Sequence, residues 1–429
     1  MSTPSKNIRI ILPLKWLLLT ITVSSFLVVP SIQGTTPAYL LCFMSLIFVG
    51  FMNKHIAETF YKDVVIYFFI FISLIMLSQY FLALSQRDIR PEPGLIFIDG
   101  VSTVTLFRTS MITQSMYMFV ALIFFTLTKH YYNEHWDKYF MRGATFLALY
   151  GVYEFVYFLI FKDSGDFISN RVFGDDPERI GSAFQITHIG PLALQRIKSL
   201  TGEPSMFSLT IVPFFFYAYF QKRYKLASLF AFTTIFSFST TAYIGMAIFL
   251  IFLFSEFTKN LKFVYFFTLT LLVSIMIVGL DKIWEIIYAA VFEKLLSNSV
   301  STTDRLYYMT NHLHYFTELP FFNKIFGIGF GYIRSTDFFS TIVVNSGILG
   351  FILITIIFLY PIFKIKINND PRNTATKLSL LFIYISLMIS VPEFSYLSIW
   401  LFVGIAYNTI RAQRRQNKKF VDKEIKTAS

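Results

Sequence analysis

Twelve apolar segments recur along the chain and restrict its fold more than any other feature. They lie at roughly 10–29, 37–52, 64–84, 113–128, 143–161, 205–220, 225–239, 242–257, 263–280, 338–363, 378–392 and 395–410. A membrane-spanning helix needs about 20 mainly apolar residues, and a helix satisfies its backbone hydrogen bonds internally when lipid surrounds it. We therefore predict an all-α polytopic membrane protein, in which about 12 transmembrane helices form one integral membrane domain over residues 1–429.

The composition agrees with this prediction. Hydrophobic residues make up 55% of the chain and charged residues 14%, whereas a soluble domain is about 25% charged. The apolar surplus extends along the whole length, which excludes a soluble domain with a single anchor. Cys42 is the one cysteine, so an intrachain disulfide, a cysteine-based zinc site and an iron–sulfur cluster are all excluded.

The distribution of basic residues predicts the orientation of the chain in the membrane. Most of the 37 Lys and Arg residues fall on one side when the N-terminus is placed inside, and an excess of basic loops marks the cytoplasmic side. Both termini are then cytoplasmic, and the segments 85–112, 162–204 and 281–337 lie outside. The basic tail 411–429 is interpreted as an orientation signal near anionic headgroups and not as a nucleic-acid-binding segment.

The outer segment 162–204 carries a polar cluster that ends at Glu203-Pro204. Proline restricts the residue before it to extended backbone and suits the first position of a helix, so Glu203 should occupy the N-cap of the next helix. The free N–H groups and the dipole of the helix favour the binding of an anion at this position. The guanidinium group of an arginine can donate two hydrogen bonds to one phosphate group. After Lys162, the first residue of this segment, four cations precede Glu203: Arg171, Arg179, Arg196 and Lys198. Glu203 is either a simple cap or a functional carboxylate beside these cations.

The outer segment 281–337 should contain helices at the membrane surface. Residues 281–297 have the apolar spacing of an interfacial helix, and a capping pattern at Ser301 starts a second helix that should end before Pro320. Three residues of this second helix share one face by their spacing, and we predict that they act together: Arg305, Tyr308 and His312. His314 falls on the opposite face, so the two histidines cannot share a metal ion, and no metal site is predicted.

Further candidate residues lie in the outer segments and within one apolar segment. The glycine-rich FGIGFGYIR either forms a turn or lets the backbone approach a bulky ligand, with Arg334 beside it. Asp337 and His188 are further outer candidates. Glu154 lies within the fifth apolar segment, where a carboxylate is either functional or held in a structural hydrogen-bond network.

Three local patterns carry a resemblance to a known family. They are RIKSLTGEPS from Arg196 to Ser205, STTAYIG from Ser239 to Gly245, and an outer loop with S-x3-R, GIGFG and VNSGILG from Ser301 to Gly350. Their order resembles the O-antigen polymerase (Wzy) family, within the wider group that includes the O-antigen ligases. Ligases of this group tend to carry a histidine about ten residues before the final Gly-x-x-Gly, whereas this chain has Thr336 and Asp337 there, which favours a polymerase.

The resemblance implies a metal-independent glycosyltransferase of the bacterial inner membrane that needs no cofactor. It would transfer a growing glycan from undecaprenyl pyrophosphate to a new lipid-linked repeat unit at the periplasmic face. Its partners would be these two lipid-linked glycans and membrane lipids, with a chain-length regulator as a further candidate and no nucleic acid. The alternatives are an O-antigen ligase that transfers glycan to the lipid A core, and a flippase for the lipid-linked oligosaccharide.

Such a reaction needs a general base for the attacking hydroxyl and cations for the charge that develops on pyrophosphate. Glu203 is the preferred base, and His312 and Asp337 are the other catalytic candidates. The expected substrate and pyrophosphate-binding residues are Arg171, Arg179, Arg196, Lys198, Arg305, Tyr308 and Arg334. A flippase should carry charges in several membrane segments; this chain has Glu154 and little else there, which favours the enzyme.

Overall fold

The computed structural model describes residues 12–85, 93–100, 106–173, 184–189, 192–257, 300–367 and 370–428. Thirteen α-helices lie within these ranges: α1 (Leu12–Thr20), α2 (Pro37–Phe48), α3 (Lys54–Ser85), α4 (Thr109–Tyr131), α5 (Asp137–Phe161), α6 (Pro204–Phe220), α7 (Tyr224–Ile235), α8 (Thr240–Phe257), α9 (Val300–Glu318), α10 (Phe321–Phe326), α11 (Phe338–Lys364), α12 (Pro371–Ile389) and α13 (Leu397–Ala428). Short 3₁₀ turns lie at Val49–Phe51 and Glu134–Trp136.

The helices confirm a mainly helical protein with a membrane-embedded character. Within the described ranges, four stretches are long and apolar enough to cross a membrane, namely Lys54–Ser85, Thr109–Tyr131, Glu134–Phe161 and Phe338–Lys364. Every predicted apolar segment except 263–280 overlaps a described helix. Segment 263–280 and the predicted interfacial helix 281–297 lie outside the described residues, and the number of twelve membrane crossings stays a prediction.

The segment between α5 and α6 contains a strand pair that the apolar pattern did not predict. Strands β1 (Ile186–Ile189) and β2 (Leu192–Gln195) pair antiparallel, with Ile186 opposite Gln195. The second strand leads directly to Arg196, whose backbone N–H donates to the Gln185 carbonyl at 2.9 Å. The hairpin therefore fixes the position from which Arg196 extends.

Helix α6 is the central helix of the bundle. Its side chains are buried on all sides from Pro204 to Ala218, as expected for a helix without a polar face. Near its N-terminus, Phe207 lies 3.9 Å from the position of a Cβ on Gly151 of α5. From Gly151 the chain of α5 continues to Phe161, a rise of about 15 Å at 1.5 Å per residue. Because α6 begins at Pro204, three residues before Phe207, its N-terminus is recessed by about seven residues, or about 10 Å, from that end of α5.

Helix α11 is broken at Gly347, where φ is 66° and ψ is −172°. A Cβ at Gly347 would lie 2.2 Å from the Ile325 carbonyl oxygen, so both the backbone angles and the space require glycine. The glycine-rich stretch packs onto this break, because the Ile328 and Gly329 N–H groups donate to α11 carbonyls at 3.0 Å each. Irregular backbone is tolerated at membrane depth when protein covers it. These glycines thus serve a close approach between two backbone segments of the protein itself.

Candidate functional site

The candidate site surrounds Glu203, at the recessed N-terminus of α6. Glu203 occupies the N-cap and Pro204 the first helical position, as predicted, but the Glu203 side chain makes no capping hydrogen bond. Instead, the Ser205 hydroxyl donates to Glu203 Oε1. The residue is half-buried. The position is that of a cap, yet the carboxylate does not perform the cap's usual task of accepting from the first backbone N–H groups.

Arg196 lies beside this carboxylate and is held by two acceptors. Its Nε donates to the Ser237 carbonyl at 3.2 Å and its Nη1 to Gln185 Oε1 at 2.5 Å. Burial, with a contribution from the Arg305 guanidinium, lowers the pKa of Arg196, and the negative charge of Glu203 opposes this shift. Arg305 of α9 is therefore within electrostatic range of Arg196, although 109 residues separate them in the sequence (305 − 196).

Arg334 joins the same electrostatic cluster. Its Nη2 forms an ion pair with Glu393 Oε1, and its backbone N–H donates to the Ile96 carbonyl at 2.9 Å. The Glu393 carboxylate, followed by more distant groups that include Glu203, raises the pKa of Arg334. We call Glu203, Arg196, Arg305, Arg334 and Glu393 the recessed cluster.

Glu393 is the member that sequence reasoning missed. It follows Pro392 in the short connection between α12 and α13, and its side chain is 9% exposed. The available signal was a carboxylate between two apolar segments, although Pro392 precedes Glu393 and so does not restrict its backbone as Pro204 restricts that of Glu203. It went unused because the predicted segments leave almost no loop between 392 and 395.

His312 is buried on α9, the helix that also carries Arg305. Its Nδ1 lies 2.7 Å from the Tyr308 carbonyl, an acceptor, so Nδ1 carries the proton and the neutral ring presents a bare Nε2 lone pair. Burial lowers the pKa of His312, and the charge of Asp337 opposes the shift. Arg305 and Tyr308 are half-buried on the same helix. His314 points to the other side, where it is 69% exposed and lies 3.6 Å from Glu318.

Asp337 acts as the N-cap of α11. Its Oδ1 accepts from the Ser340 N–H at 2.7 Å, and its Oδ2 accepts from the hydroxyls of Ser340 at 2.7 Å and Ser335 at 3.1 Å. The residue is 2% exposed. With its oxygens occupied and its side chain buried, Asp337 is positioned to stabilise α11 and not to accept a proton from a substrate.

Lys198 is placed in a buried ion network with Asp166 and Glu154. Its ammonium lies 2.5 Å from Asp166 Oδ2 and 3.5 Å from Glu154 Oε1, and the lysine is 1% exposed. Burial by itself raises the pKa of the Asp166 carboxyl, but Lys198 outweighs burial and brings this pKa down to about 2. Glu154 also accepts from the Ser199 N–H at 2.9 Å. This network ties the segment before α6 to α5, which favours the structural interpretation of Glu154.

The remaining predicted residues, Arg171, Arg179 and His188, are not members of the recessed cluster. Arg171 donates from Nη1 to the Ser24 carbonyl at 3.1 Å and lies 4.7 Å from the centre of the Phe173 ring. Arg179 lies outside the described residues. His188 is exposed on β1, paired across the hairpin with Ala193.

Two adjoining cavities open beside the recessed cluster. A polar cavity of about 50 Å³ is lined by Arg171, Arg334 and Glu393. A larger apolar cavity of about 270 Å³ lies between α3, α4 and α11. Phe330, Ile342 and Asn345 line both, so the charged cavity and the apolar cavity are neighbours that share these residues as a wall.

Among the described residues, no group of three or more His, Cys, Asp or Glu side chains is arranged to hold a metal ion. The charge chemistry of the site is that of arginines around carboxylates, which can bind an anion and accept a proton. No protein-family model, curated protein or solved structure matches the chain in the three comparisons. The observations therefore establish a helical, membrane-embedded protein with a recessed cluster of arginines and carboxylates.

Proposed function

We propose that this protein is a glycosyltransferase of the O-antigen polymerase type, acting at the periplasmic face of a bacterial inner membrane. It transfers a growing glycan from undecaprenyl pyrophosphate to a hydroxyl of a new lipid-linked repeat unit. One observation carries the proposal: the Glu203 carboxylate makes no capping bond and lies in the electrostatic field of Arg196 and Arg334.

The recessed cluster suits each change in bonding that this transfer requires. The acceptor hydroxyl oxygen forms a bond to the anomeric carbon and gives its proton to the Glu203 carboxylate. The bond from that carbon to the pyrophosphate oxygen breaks, and its electron pair leaves with the pyrophosphate. Arg196, Arg305 and Arg334 stabilise the negative charge that develops on this leaving group. The transfer written in this way uses no metal ion and no nucleotide.

The adjoining apolar cavity supports a lipid-linked donor. An isoprenoid chain needs an apolar surface close to the charged site, and the 270 Å³ cavity between α3, α4 and α11 shares lining residues with the cavity of Arg334 and Glu393. A soluble donor would not need this apolar surface.

The two alternatives differ from the polymerase in the expected phenotype. A ligase joins finished glycan to the lipid A core, and the missing histidine near Thr336 disfavours it. A flippase needs charges along a route through the bilayer, whereas the buried charges of Lys198, Asp166 and Glu154 bind one another.

Substitution of the arginines tests the proposal. In a strain that lacks the native copy, Arg196→Ala or Arg305→Ala should abolish long glycan chains and leave a single-repeat band on a lipopolysaccharide gel, because the leaving group loses its charge stabilisation. Glu134→Gln, at an ion pair with Arg372 outside the cluster, is the matched control and should keep the ladder of bands.

Three results would contradict the proposal. A normal ladder in both arginine variants, at normal protein levels in the membrane, removes the catalytic assignment. Loss of even the single-repeat band from the lipid A core indicates a ligase. Accumulation of the lipid-linked unit on the inner leaflet of a deletion strain indicates a flippase.

A further inference from the structure

The ion pair between Arg334 and Glu393 is placed where it weakens the binding of an anion. Arg334 is 47% exposed and lines the polar cavity, whereas the Glu393 side chain is 9% exposed behind it. A guanidinium has five N–H donors, and Glu393 engages Nη2. Arg334 therefore faces the cavity while a buried negative charge offsets part of its positive charge.

Glu393 is held so that it cannot easily leave Arg334. Its neighbour Phe394 accepts a hydrogen bond from the Trp400 indole at 2.8 Å, and the ring of Phe394 lies 5.2 Å from that of Phe330. On the other side of this connection, the Tyr39 hydroxyl donates to the Ser395 carbonyl at 2.5 Å. The carboxylate is thus a fixed part of the site and its charge acts on whatever anion Arg334 binds.

A site with three arginines binds a pyrophosphate leaving group strongly, which slows the release of this product. Catalysis requires that the transition state be stabilised more than the bound states around it, and product release limits the rate of many enzymes. Arg196, Arg305 and Arg334 would hold the departing pyrophosphate strongly if no charge opposed them. A fixed carboxylate in contact with one of these arginines reduces that retention.

We infer that Glu393 is a positioning residue that acts through Arg334 to weaken the binding of the pyrophosphate product, so that the product leaves and the enzyme turns over. The inference rests on the proposed function, since it assumes that the recessed cluster binds pyrophosphate. It predicts that removal of the Glu393 charge tightens the binding of pyrophosphate, which is the opposite of the effect expected when a residue that binds the ligand is replaced.

The test is the affinity of the purified full-length protein in detergent for inorganic pyrophosphate, measured by titration calorimetry. Glu393→Gln keeps the shape and an acceptor for Arg334 but removes the negative charge, and it should lower the Kd by about tenfold, since an adjacent opposite charge shifts a charge equilibrium by about one decade or more. With the lipid-linked donor, the same variant should lower both KM and kcat. Glu134→Gln changes the net charge equally and should leave the Kd unchanged.

The outcomes separate this inference from the proposed function. If Arg196→Gln and Arg334→Gln weaken the binding but Glu393→Gln binds as the wild type does, or more weakly, the inference alone is wrong. If the wild type does not bind pyrophosphate, or binds it as well without these arginines, the proposed function and the inference both fall. Damage to the fold cannot imitate the expected result, because damage weakens binding.

Discussion

Glu203 and Asp337 occupy the same position at the start of two helices, and the chain uses them differently. The Asp337 carboxylate accepts three hydrogen bonds from Ser335 and Ser340. The Glu203 carboxylate makes no capping bond at α6. A helix start that contains an acidic residue therefore does not by itself distinguish a cap from a base. The surrounding cations favour a functional role for Glu203; Arg196 lies seven residues before it, whereas Arg305 and Arg334 come from distant parts of the chain.

This difference predicts opposite effects of two substitutions. Glu203→Gln should reduce polymer formation by about 10²-fold or more, as expected for loss of a general base, and should leave the thermal unfolding temperature in detergent nearly unchanged. Asp337→Ala should cost at least about 1–2 kcal/mol of stability, because it removes a cap and leaves buried hydroxyls unpaired. Unfolding curves and a gel assay for polymer measure both effects.

Two results would reverse these assignments. A strongly destabilised Glu203→Gln protein would identify Glu203 as a structural cap. An Asp337→Ala protein of normal stability with no polymer would return Asp337 to the catalytic candidates. Expression level in the membrane must be matched between the variants, so that loss of polymer is not a loss of protein.

At the scale of the elements, local sequence signals located helix ends well. The Glu203-Pro204 pair predicted the start of α6, and α9 ends at Glu318, before Pro320, as expected. These signals succeed because proline limits the backbone of its immediate neighbours. The hairpin 186–195 was missed, since its short strands lie between polar residues and have no long apolar alternation.

Side-chain partners were less predictable than helix ends. Lys198 was grouped with the pyrophosphate-binding cations because it lies two residues from Arg196 in the sequence. In the structure its ammonium is buried against Asp166 and Glu154, which are 32 and 44 residues away. Such a choice of partner depends on how α5 and the following segment pack, and no local pattern contains that information.

The buried network predicts a structural effect at Lys198. Lys198→Met removes the cation and leaves two carboxylates in a poorly solvated place, which should cost about 3–5 kcal/mol of stability. Thermal unfolding in detergent measures the loss, and Lys222→Met, at an exposed position between α6 and α7, is the control. A Lys198→Met protein that unfolds like the wild type but fails to bind pyrophosphate would restore Lys198 to the anion site.

At the scale of the whole molecule, the recess could not be predicted from the sequence. The apolar segments 143–161 and 205–220 have 19 and 16 residues, whereas α5 has 25 residues and α6 has 17. The depth of Glu203 follows from where these two helices contact each other, at Gly151 and Phe207. The order of helices was predictable because each apolar segment signals its own helix, but their relative heights are set by packing.

The side of the membrane that the recessed cluster faces is a prediction from loop charges, and it can be measured with a single thiol. Cys42 is buried, and Cys42→Ala provides a background without cysteine. His188→Cys, on the exposed hairpin, should lie outside, and Arg223→Cys, between α6 and α7, should lie inside. Both positions are exposed in the structure.

An impermeant maleimide applied to intact spheroplasts should label His188→Cys and not Arg223→Cys, and detergent should make both reactive. The reason is that Glu203 and the hairpin lie at the start of α6, while Arg223 follows its end, so one crossing of the membrane separates them. Labelling of Arg223→Cys alone would invert the topology and place the arginines in the cytoplasm. Periplasmic glycan transfer would then be excluded, because the lipid-linked acceptor and the recessed cluster would lie on opposite sides.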